Sequence, residues 1–526
     1  MKRLLRLLSV WLAVFVLISC SSNPPSETDS PSGTPELASE KVLRIGELWN
    51  ITSIDPANNG TLITEKALIT ESLVGIDDNF RIIPALATEW EWIDDHHWRF
   101  KLAEGVKFHD GTDFNGEAVQ WSVMRAIDTN ATVKSISSIV DIVVEADNAV
   151  IIETAMPVGD LPEIMHYSNL AILAKSSIDV DGKFIYPVGT GPFMYGSFNE
   201  SSGVLEVVKY KDYWDGEAQL DKVILNPITD PNTRALSIEN GEIDFTIDPP
   251  LNEIERLSNI EGLNLEPYNT PRVYVCQLNM NKEPLNDVNV RKALSHALNR
   301  EAIAEHVLYN IGSPAIGAFS SNIAWVNPDL KGFDYDIETS LALLAEAGYT
   351  DSNGDGILDK NGIPLSLKLI TYPERPGLPP IAQAMQGYLS EIGIELKLDI
   401  MTSSATSGVM DTGDWDIYLM ANATTMIPTP GYYLENAFQS GGSASQTTGY
   451  SNAEIDALLA QMKSTDDLEL KYDLARQVQQ IVENDSPLIY VAYYGVGIVM
   501  KDSVKNFVFN PTAHDYMLNK EITIEN

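Results

Sequence analysis

The sequence predicts an α/β protein of more than one lobe, and three observations carry that prediction. Strand-like and helix-like periodicities alternate along most of the chain, and such alternation builds α/β layers with mixed sheets. The chain has 526 residues, more than a single hydrophobic core normally serves. Hydrophobic residues make up 44% and charged residues 21%, ordinary proportions for a globular protein.

The first residues are of another kind. Lys2, Arg3 and Arg6 precede the apolar run Leu7 to Ser19. A charged head, a short apolar core and a small residue at the cut form the layout of a secretory signal. The run is shorter than the roughly 20 residues of a spanning helix. Residues 1–19 are therefore expected to be a signal peptide. The boundary Leu17-Ile18-Ser19-Cys20 resembles the lipobox of bacterial lipoproteins, which implies that the Cys20 thiol carries a diacylglycerol. Two acyl chains hold stably where one does not. Residues 20–41, rich in Ser, Pro, Thr and Glu, then read as a lipid-anchored disordered tether. Only one other cysteine exists, Cys276, in the strand-like run RVYVCQLNMN. It is expected to be a buried, unreactive thiol.

Net charge is −39, from 35 basic and 74 acidic residues. A surface so acidic argues against nucleic acid, which needs a basic footprint. It suits solubility in an exposed environment, and it can draw cations toward a cleft.

The elements follow in order. Val42 to Leu48 reads as a strand, and Thr64 to Leu73 as a helix. Glu89 to Leu102 alternates aromatics around Asp94-Asp95, a hairpin pattern. In GVKFHDGTDFNGEAVQWSVMRAI, Asn115 can cap a helix whose Val119, Val123 and Ile127 share a face. Val290, Ala293, Leu294, Ala297 and Leu298 repeat as an amphipathic helix. Asp336 is a plausible N-cap, with Gly348 as the matching stop. Ile381, Met385, Leu389 and Ile392 line another helix, which Gly393 ends before an alternating strand.

Enzyme signatures are missing. No GxSxG elbow, HExxH helix or CxxC pair occurs, and the seven histidines are scattered. No catalytic residue and no cofactor is predicted. One stretch matches the start of a calcium loop: Asp351, Asn353, Asp355, a Gly at the sixth position and Asp359 at the ninth. The twelfth position, where a bidentate Glu belongs, is Gly362. A polar turn between a helix and the strand LSLKLI is the competing reading.

Several runs together resemble family 5 of the bacterial solute-binding proteins, the extracytoplasmic receptors of oligopeptide, dipeptide and nickel ABC importers. GVKFHDGTDF after a hairpin looks like the family signature. VGTGPFMYGSF, the segment from VVKYKDYWDG to IENGEIDF, PLNDVNVRKALSHALNREAIAEHV and PLIYVAYY follow in the family's order. The resemblance runs from about Val42 to the C-terminus. It implies a two-lobed periplasmic-binding-protein type II (Venus flytrap) fold with an additional third domain. Lobe I would take residues 42–72, 186–268 and 490–526, the extra domain 73–185 inserted in lobe I, and lobe II 269–489. The implied function is capture of a peptide, a nickel or other metal chelate, or a similar small solute. Implied partners are ABC permease subunits with their ATPase, reached by a monomer tethered outside the cell membrane or in the periplasm. A sensor or chaperone, or a secreted peptide hydrolase, are the alternatives.

Candidate ligand contacts are Trp49 and Asn59 after the first strand, Trp325, Arg375, Asn422, Thr424, Met426 and Tyr493. Pockets favour aromatic walls with a few placed polar groups. Arg375 lies in the turn Tyr372 to Pro376, which resembles nickel and metal-chelate receptors. The strand Leu365 to Ile370 ends just before it, and α/β clefts open at strand ends. A guanidinium there could pair a ligand carboxylate or form a surface or interlobe salt bridge. Departures from the family are visible. EIMHYSNLAIL lacks the arginine of nickel-chelate receptors, with Ser168 and Ala171 near its place, and MANATTMIPTPGYY lacks both their tryptophan and the aspartate of peptide receptors.

Overall fold

The strand Val42–Glu47 sits in the middle of the architecture, with its hydrophobic Leu43 and Ile45 fully buried. It belongs to an eleven-stranded mixed sheet. From one edge to the other the strands run Glu395–Ile400, Ser366–Thr371, Ile417–Ala423, Leu263–Leu278, Leu488–Lys501, Phe245–Ile247, Val42–Glu47, Lys222–Pro227, Val204–Lys209 and Phe193–Asn199. The short strand Gly312–Pro314 pairs off this path with Leu488–Lys501. The structure is a computed structural model and describes residues 40–146 and 148–525. The expected signal peptide, Cys20 and tether residues 20–39 lie outside the described residues. Residues 40–525 form one compact unit. Among the described residues, no helix is long and apolar enough to cross a membrane.

Two long antiparallel strands join the halves of this sheet. The stretch from Leu263 to Asn269 pairs with residues Gly495 to Lys501, which in turn pair with Phe245–Ile247. Beyond a register break between Asn269 and Val273, the same strand pairs with Ile417–Ala423. A bulge bends a strand and increases its twist. The chain thus passes from one half of the sheet to the other at residues 269–273, and on the returning strand the changeover falls at Tyr493 to Gly495. Gly312 faces this point with φ +106, and a Cβ there would lie 2.3 Å from the Tyr493 carbonyl oxygen, so only glycine fits.

A separate four-stranded antiparallel sheet, in the order Ala87–Asp94, His97–Leu102, Ala149–Thr154, Ile139–Glu145, falls within the stretch expected for the extra domain. The helix Gly116–Thr129 covers it with Val119, Val123, Ala126 and Ile127 buried. The Asn115 side chain accepts from the Ala118 N–H at 3.0 Å, the cap its sequence predicts. Asp336 caps Ile337–Glu346 in the same way, and Gly348 takes φ +89 after that helix.

One expectation is corrected. The helix expected at Thr64 to Leu73 begins earlier and stops sooner, as Pro56–Gly60 and Thr61–Lys66. Asp55 caps it by accepting from the Ala57 N–H at 3.1 Å, and Pro56 supplies a preset φ in the first turn. Leu68, at φ +50, ends it. Cys276 is fully buried with its thiol 3.8 Å from the Met385 sulfur, and burial pushes that thiol up to about 12.

Candidate functional site

Where the two long strands cross between halves, charged side chains gather out of water. Lys66, at the end of its helix, reaches Glu47 at 2.9 Å and Asp515 at 3.5 Å. Arg272, on the strand just beyond the register break, places Nε 3.6 Å from Asp515 and donates it to the His514 carbonyl at 2.7 Å. Arg375 donates to Asp515 at 2.7 Å, to Asp248 at 3.1 Å and to the Tyr494 hydroxyl at 3.1 Å. The Tyr494 hydroxyl donates in turn to Asp248, and the Tyr516 hydroxyl to Glu47. Arg234 lies alongside, its guanidinium spent on the carbonyls of Ile228, Thr229, Ile247 and Asp248.

This network joins the halves. Asp248 follows Phe245–Ile247 in one half, whereas Arg375 follows Ser366–Thr371 in the other. Burial pushes the Asp515 carboxyl up, but Arg375, Arg272 and Lys66 outweigh it and hold the group well below the usual carboxylate range. Burial likewise opposes the charge on Arg375, and Asp515, Tyr494 and Asp248 more than restore it. Aromatic faces complete the setting. The guanidinium of Arg375 sits 5.5 Å from the Trp49 ring and 5.2 Å from the Tyr494 ring, and the Lys66 ammonium 4.7 Å from the Tyr516 ring.

Not every polar group here has a partner. Among the described residues, Glu65 Oε2 and the Thr425 hydroxyl are buried without a hydrogen bond, and the buried His514 ring meets the Thr425 backbone. Burial is the largest influence on both titratable groups. It raises Glu65 to about 7, against the pull of Lys66, with Asp515 adding to the rise and Ser168 and Arg272 opposing it. It lowers His514 to about 3, helped by Arg272 and His166 and opposed by Asp515 and the Thr425 backbone. His514 is therefore neutral at physiological pH. A cavity of about 390 Å3 opens beside Glu65, lined also by His166, Ser168, Ser72, Phe509 and Leu518.

The sequence-based candidates are distributed around this centre. Trp49 stacks on Arg375. Thr424 is buried and bonds Pro271, its amide at 3.0 Å and its hydroxyl at 3.3 Å, beside the register break. Met426 packs against the core of the four-stranded domain. Tyr493 lies at the crossing and donates to the Phe319 carbonyl at 2.9 Å. Asn59 interrupts its helix at φ −146, ψ 56 and donates to the Ser53 carbonyl at 3.1 Å. Asn422 lines a different cavity, of about 330 Å3, with Tyr418, Tyr432 and Tyr433. Trp325 is fully buried among Phe80, Phe319 and Tyr472, so its ring serves as core packing rather than as a cleft wall. Arg375 is buried in ion pairs with Asp248 and Asp515.

The calcium reading is corrected. Asp351 accepts the N–H groups of Gly354 and Gly356, Asp355 that of Ile357, and Asp359 those of Ser352 and Gly362. Asn353 bonds Asp355 instead of facing a common centre. These oxygens hold a turn into the short hairpin Asp359–Lys360 and Ile363–Pro364. Among the described residues, no group of three or more His, Cys, Asp or Glu side chains is arranged to hold a metal ion.

Sequence reasoning missed Glu47, Glu65, Lys66, Asp248, Arg272, His514 and Asp515. His514-Asp515 stands in a tail without periodicity, and Glu65-Lys66 in a helix whose bounds were displaced. The one available signal was the pairing of adjacent charged or polar residues inside otherwise apolar surroundings.

Comparison with known proteins adds the lineage. Residues 81–445 match the model of the bacterial extracellular solute-binding proteins, family 5. The nickel-binding protein NikA of Staphylococcus aureus is 27% identical over 524 residues, covering 99% of each chain. The glutathione-binding protein GsiB of Escherichia coli is 27% identical over 472 residues, covering 86% of this chain and 88% of that one. The crystal structure of Staphylococcus aureus NikA in complex with Ni(L-His)2 superposes with a TM-score of 0.79 at 26% identity, covering 92% of this chain and all of that one. The two halves joined by long strands are thus those of a type II periplasmic binding protein, and the chain belongs to family 5 of the bacterial extracellular solute-binding proteins.

Proposed function

We propose that this protein is the receptor of an ABC importer, capturing one small solute between its two lobes and delivering it to the membrane permease. The observation that carries the reading is the buried ion network at the strand crossing, where Arg375 of one lobe engages Asp248 and Asp515 of the other. Such contacts bias a hinge between open and closed arrangements. Solute classes compatible with the relatives are a metal chelate such as a nickel–histidine complex, glutathione, or another peptide. The solute is cargo, and the protein does no chemistry on it. The working form is a monomer, anchored outside the cell membrane through lipid on Cys20.

Two experiments test this. Deleting the permease should abolish uptake of the captured solute while purified protein still binds it; uptake that persists would remove the importer role. Cys20→Ala should abolish labelling by a radioactive fatty acid and release the protein from the membrane fraction. Label retained in that variant would refute the anchor.

A further inference from the structure

A cavity of about 410 Å3 lies between the four-stranded domain and the segments that follow the strand Ile417–Ala423. Ser135, Ser138 and Asp160 line it from the first side, and Thr429, Glu435 and Lys463 from the second. One turn ties the two sides together. The Gly159 N–H donates to the Lys463 carbonyl at 2.9 Å, and the Lys471 ammonium donates to the Gly159 carbonyl at 2.9 Å. A Cβ at position 159 would lie 1.9 Å from the Thr465 carbonyl oxygen, so only glycine permits this approach. The next residue, Asp160, accepts the Thr429 hydroxyl at 2.7 Å. Its carboxylate is thus fixed at the cavity wall by bonds to the opposite side.

The charges in this wall do not balance. Lys463 pairs with Glu435 at 2.7 Å and Lys471 is spent on Gly159, whereas Asp160 forms no ion pair among the described residues. The two carboxylates stand close together: a Cβ on Gly431 would lie 3.3 Å from Glu435 Oε1 and 3.5 Å from Asp160 Oδ2. An anion entering here would meet both, while a cation that donates hydrogen bonds would complete the pairing, because an ionised carboxylate only accepts them. The adjoining cavity of about 330 Å3 shares Tyr432, Asn436 and Ser443 with this one, and among the described residues no charged side chain lines it. Charge is therefore read at the Asp160 end. Each cavity has the size of a small-solute site. We propose that the solute occupies this space with an organic cation, an ammonium or a guanidinium, against Asp160, and that Asp160 is the residue selecting for it. This inference rests on the receptor reading above.

The test uses full-length protein purified natively from its own cells. Material released from it by unfolding is analysed, and the same material is titrated back into stripped protein by calorimetry. The released solute is expected to carry an ammonium, read by an amine reagent, or a guanidinium, read by a dicarbonyl reagent. Metal analysis of the same sample identifies amines that were bound to a metal instead. Asp160→Asn should weaken rebinding about tenfold, the loss of one charge-assisted hydrogen bond. Its amide still accepts the Thr429 hydroxyl, so the melting temperature and the dimensions by small-angle scattering should match the wild type. Asp160→Glu keeps the charge and should recover part of the affinity. Wild-type affinity in Asp160→Asn, a fall in affinity matched by a fall in melting temperature, or a solute whose nitrogen groups are uncharged or bound to a metal overturns this inference and leaves the receptor reading standing. Wild-type protein that yields no solute overturns both.

Discussion

Replacing Arg375 with Met removes the cation at the centre of the lobe-to-lobe network while keeping a side chain of similar length. Three hydrogen bonds vanish: to Asp515 at 2.7 Å, to Asp248 at 3.1 Å and to Tyr494 at 3.1 Å. The two carboxylates fare differently. Asp515 retains Lys66 at 3.5 Å and Arg272 at 3.6 Å, whereas Asp248 retains no ion pair among the described residues and keeps the Tyr494 hydroxyl. Removing one partner from a buried pair costs about 3–5 kcal/mol, because it strands the other charge. The surviving contacts of Asp515 put the expected loss toward the low end, about 3 kcal/mol. Arg375→Lys keeps the charge, but one ammonium cannot span Asp248 and Asp515 as the planar fork does. Its expected cost is one charge-assisted bond, about 1.5–3 kcal/mol. The strongest check is a double-mutant cycle with Asp248→Asn, in which the combined variant should be less destabilised than the sum of the two single ones. Urea unfolding followed by tryptophan fluorescence reports it, and Trp49 on the guanidinium makes the native signal sensitive to the site. Small-angle scattering should show the solute-free Arg375→Met protein more expanded than the wild type. An unchanged unfolding midpoint together with unchanged dimensions would refute the claim that this network holds the lobes.

Two further outcomes follow from buried groups. Glu65 in the folded protein keeps its proton up to about pH 7, against an ordinary value of 4.5, because burial outweighs Lys66. Between those values the native state holds a proton that the unfolded chain has released, so stability falls as pH rises through that window. Glu65→Gln should gain on the wild type across it in thermal melts, and parallel pH profiles would contradict the assignment. The Cys276 thiol, buried and shifted to about 12, should resist thiol reagents until urea unfolds the chain; rapid labelling of native protein would contradict its burial.

The fold was legible where local chemistry acts alone. Asn115 and Asp336 cap helices because their side chains reach a nearby N–H, and Gly348 and Gly393 adopt positive φ where the periodic residues end. The helix before Leu68 was misplaced because the Asp55-Pro56 start outweighs an apolar pattern that continues past the stop. The candidate site was legible only in part. Trp49, Thr424 and Tyr493 do lie around the crossing, because loops at strand ends gather there. Trp325 looked identical in sequence and is core, since an aromatic carries no sign of which side faces solvent. Lys66, Asp248, Arg272 and Asp515 come from segments far apart in the chain, and no spacing rule links them. The calcium-like loop shows the converse case, in which a suggestive spacing of acids serves backbone N–H groups of a turn.

Native mass spectrometry of the protein purified from its own cells, with metal analysis of the same preparation, bears most directly on solute capture. The account predicts one small solute per chain, released on unfolding, with the solute-loaded form more compact than the stripped one by small-angle scattering. A chain that carries no solute and keeps the same dimensions whether stripped or exposed to cell extract would contradict it.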